Sequence, residues 1–210
     1  MQNIIIVGAG SFGRELCCWI EDMLGPAHLR IGGFLDDTRA PAPALNANYP
    51  YPLLGAIDSY RLQAGDVFVI AIAEPAAKLR IAKALQEKGA AFFTVVHPAA
   101  RLARTARLGV GVVICPFALV SADSMVGDFV TINSYSSIGH DASVGSGSTL
   151  SCHVDITGGV IVGEAAFFGS GARVLPQLSV GAHATVGAGA VVMRKVEAAT
   201  TVYAMPAKKL

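Results

Sequence analysis

The chain has 210 residues, of which 53% are hydrophobic and 15% charged, and its net charge is +1. No apolar run approaches the ~18 residues of a membrane span, and no basic block marks a nucleic-acid surface, so no membrane span and no nucleic-acid partner are expected. The four cysteines (Cys17, Cys18, Cys115, Cys152) show no C-x-x-C spacing and read as reduced thiols of a cytoplasmic protein.

In chain order, residues 4–7 (Ile-Ile-Ile-Val) form a short buried strand. The opening lacks a basic n-region, so no signal peptide is expected. Gly8-Ala9-Gly10-Ser11-Phe12-Gly13 follows, then a helix over about 11–24 that Gly25-Pro26 stops. A second strand over 31–35 ends in Asp36-Asp37. A G-x-G-x-x-G run between strand and helix, with acids about two dozen residues on, has the parts of a nucleotide-binding βαβ unit. The alternative, a glycine turn serving packing alone, stays open. Residues 39–53 are rich in Pro, Ala and Asn and read as a loop. A third strand covers 67–73, a helix 75–88 with Pro75 in its first turn and Gly89 past its end, and a fourth strand 91–96. Residues 1–96 are thus predicted as a small Rossmann-like α/β domain of about four parallel strands. That is half the size of a dinucleotide-binding domain, which points to one nucleotide rather than NAD.

From Leu102 to Val192 every sixth residue is aliphatic or Phe, sixteen times without a slip. Four residues after each anchor stands a second, mostly small series, and the residue after the anchor is often Gly, as in Gly109, Gly127, Gly139 and Gly145. A period of six fits neither a helix nor a hairpin. It predicts an all-β solenoid over 97–193, with glycine supplying positive-φ corners, and a tail over 194–210 that caps the last coil.

Of the histidines, His140 stands out because Asp141 follows it. The anchor Ile138 and Ala142 point inward, so His140 and Asp141 face out on the turn. There an imidazole can serve as a general base with the carboxylate orienting it. An exposed turn histidine without a role is the other reading. His153 and His183 hold a different place in their hexapeptides from His140 and do not stack with it, so no metal site is expected.

The hexapeptide pattern resembles the hexapeptide-repeat acyltransferases of the left-handed parallel β-helix superfamily. The resemblance implies three hexapeptides per triangular coil, about five coils here. A narrower subgroup joins a Rossmann-like N-terminal domain to such a helix: the nucleotide-linked 4-amino-sugar N-acetyltransferases and the sialic acid O-acetyltransferase-like proteins. The chain is similar to it at Ile6-Val7-Gly8-Ala9-Gly10, Gly33-Phe34-Leu35-Asp36-Asp37, His97, Ile132-Asn133, Ile138-Gly139-His140-Asp141 and the tail Pro206-Ala207-Lys208. It departs from the subgroup at Phe12, Ala73-Glu74 and Ala204. By this resemblance His140 is the catalytic base and Asp141 its partner. The nucleotide-sugar acceptor would contact Gly8, Gly10, Ser11, Phe12, Gly13, Asp36, Asp37 and, at the sugar, Asn133. Gly158, Ser170 and Ala188 would lie along acetyl-CoA, the co-substrate. The resemblance implies an N-acetyltransferase for a nucleotide-linked 4-amino sugar, working as a homotrimer. A sugar O-acetyltransferase and a non-catalytic β-helix scaffold are the rival expectations.

Overall fold

A computed structural model describes residues 2–24, 29–39 and 41–205. The helix stop at Gly25-Pro26 and the tail end from Pro206 onward therefore lie outside the described residues.

The N-terminal unit contains β1 (Gln2–Val7), α1 (Ser11–Glu21), β2 (Leu29–Leu35), β3 (Leu53–Gly55), β4 (Asp66–Ile70), α2 (Pro75–Glu87) and β5 (Ala91–Phe92). The five strands form one parallel sheet in the order β3-β2-β1-β4-β5. Both faces of the sheet are covered, which explains the unbroken apolar run of β1. Ile4 and Ile6 pack with Leu16, Cys17 and Ile20 of α1, whereas Ile5 and Val7 join Ala82 and Leu85 of α2.

Two expectations for this unit need correction. The sheet has five strands, because the end of the proline-rich loop becomes the edge strand β3. So short a strand beside Pro50 and Pro52 cannot show a period of two, and an edge is where prolines are tolerated. The strand expected over 91–96 is also two. After β5 the chain leaves the sheet, and β6 (Val95–Val96) pairs instead with Val113–Ile114 of the solenoid.

From β6 onward two-residue strands recur, and each pairs in parallel with its counterpart three hexapeptides further on, as Leu119–Val120 does with Ser137–Ile138. Three sheets result, of six, five and seven strands. They form a triangular prism of six coils rather than five, because β6 adds a rung before Leu102 and Thr201–Val202 adds one after Val192. The prism has a base face through Thr131–Ile132 and Thr149–Leu150 and two flanks, through Ser137–Ile138 and Ser143–Val144. The flanks meet at an apex edge opposite the base. Anchors and the small residues four places on fill the interior; Ile132, Ile138, Leu150, Val154 and Ile156 are at most 1% exposed.

The glycines work differently from the expectation. The positive-φ corner lies three residues after the anchor and is mostly not glycine: Phe117, Tyr135, Asp141 and His153 all have φ near 60°. The glycine just after the anchor answers to close approach. A Cβ on Gly145 would lie 2.5 Å from the amide nitrogen of Glu164 in the next coil.

The N-terminal unit sits on the base face. Phe92 meets Phe129 edge-on with ring centroids 4.8 Å apart, and His97 Nε2 lies 3.1 Å from the Asp22 carboxylate at the end of α1. Since Nδ1 of His97 accepts from the Ala99 amide, Nε2 carries the proton that Asp22 receives. At the centre of the contact is Lys78 of α2, 1% exposed. Its Nζ donates to Thr149 Oγ1 at 2.8 Å, Thr131 Oγ1 at 3.0 Å and the Ser148 carbonyl at 3.2 Å. Burial pulls its ammonium from 10.5 down to about 7, against a smaller opposing pull from Glu74. Between pH ~7 and ~10.5 the unfolded chain holds a proton that the folded chain has released, so Lys78 makes stability rise with pH across that window. Lys78→Met should abolish this slope in denaturant melts from pH 7 to 10 and leave the protein ~1–3 kcal/mol more stable at pH 7. A Met variant that loses stability at pH 7 would show that the three polar contacts outweigh the desolvation.

Candidate active site

On the apex edge the repeat places one residue per coil in line. Leu102, Val120 and Ile138 are in register, and the residues two places after them are Arg104, Ala122 and His140. The line continues through backbone bonds: the Asp141 amide donates to the Ala122 carbonyl, the Gly159 amide to the His140 carbonyl, and the Gln177 amide to the Gly158 carbonyl. His140 therefore lies directly above Gly158.

The His140 side chain is 72% exposed and that of Asp141 66%. His140 Nδ1 lies 2.7 Å from Asp141 Oδ2. A carboxylate only accepts, so Nδ1 carries the hydrogen and Nε2 is left as the free basic nitrogen. The positive φ of Asp141 (59°) turns its carboxylate back towards the ring. Nε2 hangs over Gly158, where an added Cβ would come within 2.7 Å of it. The arrangement can take a proton from a group brought to the apex, and the carboxylate can stabilise the resulting imidazolium.

A hollow of about 380 Å³ lies at the glycine loop and is lined by Gly8, Gly10, Ser11, Phe12, Asp36, Asp37, Ile57 and Ile72. Gly13 is held glycine by packing, since a Cβ there would collide with the Gly8 carbonyl. Gly10 faces open space, with nothing within 4 Å of where its Cβ would be. Asp36 Oδ2 accepts from the Ala9 amide at 2.9 Å, and Oδ1 accepts from the Thr38 amide and hydroxyl. Burial raises the Asp36 carboxyl, but the bonds from Thr38 and Ala9 outweigh it and hold it below the usual carboxylate range. Asp37 accepts from the Ile57 amide at 2.8 Å. One amide of the loop is thus already bound to a carboxylate, so this loop offers an anion fewer donors than its glycine spacing suggests.

The remaining residues singled out in the sequence fall elsewhere. Asn133 donates to the Leu150 carbonyl on an edge of the base face, away from His140. Ser170 and Ala188 stand along that same edge, two residues after Phe168 and Val186, whereas Gly158 is on the apex. His153 is also on the base edge, stacked on Tyr135 at 5.0 Å, and Tyr135 on Phe117 at 5.0 Å. That three-ring column escaped sequence reading, although its rings recur at every third hexapeptide, which was a usable signal. Burial pushes the Cys17 thiol up to about 12 and that of Cys115 higher still, which suits neither for thiolate chemistry. Among the described residues no three His, Cys, Asp or Glu side chains gather as metal ligands, and no helix is long and apolar enough to cross a membrane.

The Gly158 contact generates a test. Its neighbour is the far end of an exposed side chain, so Gly158→Ala should leave the melting temperature within about 2 °C of wild type. It should still displace the imidazole and lower kcat about 10- to 100-fold. Unchanged kcat would show that the place of the imidazole over Gly158 has no bearing on turnover.

A comparison with curated proteins gives no match. PerB from Caulobacter crescentus, solved in complex with CoA and GDP-perosamine, is 27% identical, with a TM-score of 0.86 over 99% of this chain and 97% of that one. WeeI from Acinetobacter baumannii is 26% identical, with a TM-score of 0.86 over all of both chains. The acetyltransferase domain of PglB from Neisseria gonorrhoeae, in complex with acetyl coenzyme A, is 25% identical, with a TM-score of 0.87 over 100% of this chain and 99% of that one. The topology shared with these neighbours is the left-handed β-helix. Residues 3–85 match the PglD N-terminal domain family, and from end to end the chain carries the architecture of these acetyltransferase structures: a PglD-type N-terminal domain on a left-handed β-helix.

Proposed function

We propose that this chain is an acetyl-CoA-dependent N-acetyltransferase acting on the amino group of a nucleotide-linked 4-amino sugar. The observation that carries the reading is the apex dyad: Nδ1 of His140 bound to Asp141 at 2.7 Å, with Nε2 free above Gly158. The full-length likeness to a structure holding CoA and GDP-perosamine supports the two substrate classes. The amine attacks the thioester carbonyl and forms a C–N bond. His140 Nε2 takes the proton the nitrogen loses. When the tetrahedral oxyanion collapses, the C–S bond breaks and the CoA thiolate takes that proton, leaving amide and free thiol. General-base help of this kind is worth typically ~10²–10⁴ in rate. Gly8, Gly10, Ser11, Phe12, Gly13, Asp36 and Asp37 would hold the nucleotide, Asn133 would meet the sugar, and Gly158, Ser170 and Ala188 would border acetyl-CoA.

The reading includes a homotrimer with shared sites. The N-terminal unit of each chain rests on the base face, through Lys78 and Ala73 against Thr131 and Thr149. His140 stands on the opposite edge of the same prism, and on this reading a nucleotide in one chain's glycine loop presents its sugar to another chain's dyad. Asn133, Ser170 and Ala188 sit on a different edge from His140 and Gly158, which likewise suits a site built from two copies, and cyclic closure is the usual arrangement. The free thiols of Cys17, Cys18, Cys115 and Cys152 suit a cytoplasmic setting.

A thiol-release assay with acetyl-CoA and a panel of UDP-, GDP- and TDP-linked amino sugars, with free sialic acid beside them, tests the activity. Turnover only on sialic acid would move the assignment to O-acetylation. His140→Ala should lower kcat by ~10²–10⁴ with the melting temperature intact, and Asp141→Asn should lower it less. Gly10→Val, in open space, should fold normally and raise the acceptor KM with little effect on acetyl-CoA. Full activity at a monomer mass of 21.6 kDa by light scattering would refute the shared site.

A further inference from the structure

The three-ring column on the base edge has no part in the reading above. Val96, Ile114, Ile132, Leu150 and Phe168 are in register, so the residues three places after them follow one another rung by rung: Ala99, Phe117, Tyr135, His153 and Gly171. Three successive places hold rings, with centroids 5.0 Å apart and planes 16° and 4° from parallel. That separation is close to the ~4.8 Å between neighbouring strands, so the coil itself sets the stack. Tyr135 has a ring on both faces, whereas Phe117 at the head of the column has one on a single face. The next place belongs to Ala99, whose methyl group leaves a ring's width of the column unfilled. A hollow of about 540 Å³ opens there, lined by Pro98, Ala99, Arg101, Phe117, Ala118 and Leu119. Phe117 is 56% exposed and Leu119 46%. The Ala99 side of the hollow is fixed, since the Ala99 amide donates to Nδ1 of His97, which is buried against Asp22. Arg101 is the one charged residue of the lining. None of the ion pairs among the described residues uses its guanidinium.

We propose that this hollow binds a free nucleotide, with the base stacked on Phe117 in the place left by Ala99 and a phosphate on Arg101. It is a third site, outside the transfer reading and independent of it. The hollow shares no lining residue with the one at the glycine loop. Ser170 and Ala188, placed along acetyl-CoA above, stand three and four rungs beyond Phe117 on the same edge. A flat ring is what continues the column, and stacking of a base on an aromatic side chain tolerates any base, since each has a π-face. The charge asks for an anion, and the guanidinium fork matches phosphate oxygens in a bidentate pair. Arg101 comes two residues after Ala99, and its amide donates to the Ala118 carbonyl at 2.9 Å, which sets it beside the vacant ring place. The ligand must therefore hold its ring and its anion a short distance apart, as ribose does between base and phosphate. The volume is more than a lone ring fills and falls in the range of small-molecule sites. Pro98 and Leu119 supply apolar walls on either side.

A nucleotide-linked acceptor and CoA also join a base to phosphate, so the test separates three sources. Calorimetry with AMP is run on the full chain, wild type and Gly10→Val. Gly10→Val removes any contribution of the glycine loop and is the background for Phe117→Leu, Arg101→Gln and Ala99→Phe. AMP should bind the Gly10→Val protein. Adenosine and ribose 5-phosphate, each half of the ligand, should bind it at least about 10-fold more weakly. Phe117→Leu and Arg101→Gln should each raise the AMP Kd about 10- to 100-fold. Ala99→Phe fills the vacant place with the chain's own ring and should abolish binding. Phe117 and Arg101 are exposed, so their variants should melt with the parent and carry the test even if Ala99→Phe folds poorly. Absence of AMP binding in the wild type would overturn the proposal, as would an AMP Kd indifferent to both Phe117→Leu and Arg101→Gln. Binding in the wild type that vanishes in Gly10→Val would place the nucleotide in the glycine loop and overturn it too. Displacement of AMP by acetyl-CoA, with acetyl-CoA affinity falling in Phe117→Leu, would assign the hollow to the donor and be equally fatal. No arm reads transfer, so a failure of the transferase reading leaves this outcome untouched.

Discussion

The structure depends on one constraint: each coil of three hexapeptides stacks directly on the next, with backbone against backbone. The close approach is tightest just after each anchor, where Gly145 leaves no room for a Cβ beneath Glu164. Such contacts keep the register from slipping, since a slip would bring side chains into the stacking line and turn the Val and Ile anchors outward. The interior is correspondingly apolar. Its few polar groups are paired, some across coils: Ser136 Oγ donates to the Ser151 carbonyl and accepts from the Val154 amide.

A rigid register also organises chemistry. Because equivalent positions superpose coil upon coil, a residue's place in the coil fixes both its edge and its neighbours above and below. His140 gets its open floor from Gly158 and its carboxylate from the positive-φ corner at Asp141. No loop has to be ordered to assemble the dyad. This preorganisation is what the proposed general base requires if it is to avoid reorganisation in each turnover.

The N-terminal unit is fastened to the prism by a costly contact. Lys78 is buried without a carboxylate partner, and three oxygens satisfy its donors. A buried amine of this kind is a poor source of stability but a strict one for geometry, because any other docking would leave an ammonium unsatisfied in the interior. The contact fixes the glycine loop on the base side of the prism and leaves the apex bare. The proposed division of each site between two chains follows from that placement.

Much of this was legible in the sequence. The period of six from Leu102 to Val192 determines a solenoid, because burying one large and one small side chain per turn is a local requirement that recurs unchanged. The strand–glycine loop–helix opening is local in the same sense, as is the outward direction of His140 and Asp141 in their hexapeptide. The edge strand at Leu53–Gly55 and the crossing of Val95–Val96 to the prism were decided only in three dimensions, since such short segments carry no periodic signal and take their partners from distant chain. The same is true of Lys78, which reads as an ordinary helix lysine until Thr131 and Thr149 come from a remote part of the chain to receive it. Gly158 beneath the imidazole and Arg104 in line with it are implicit in the recurrence of the coil. That His140 and the glycine loop lie on opposite sides of one prism is not, because periodicity describes a helix along its own axis and only tertiary packing decides which face the other domain covers.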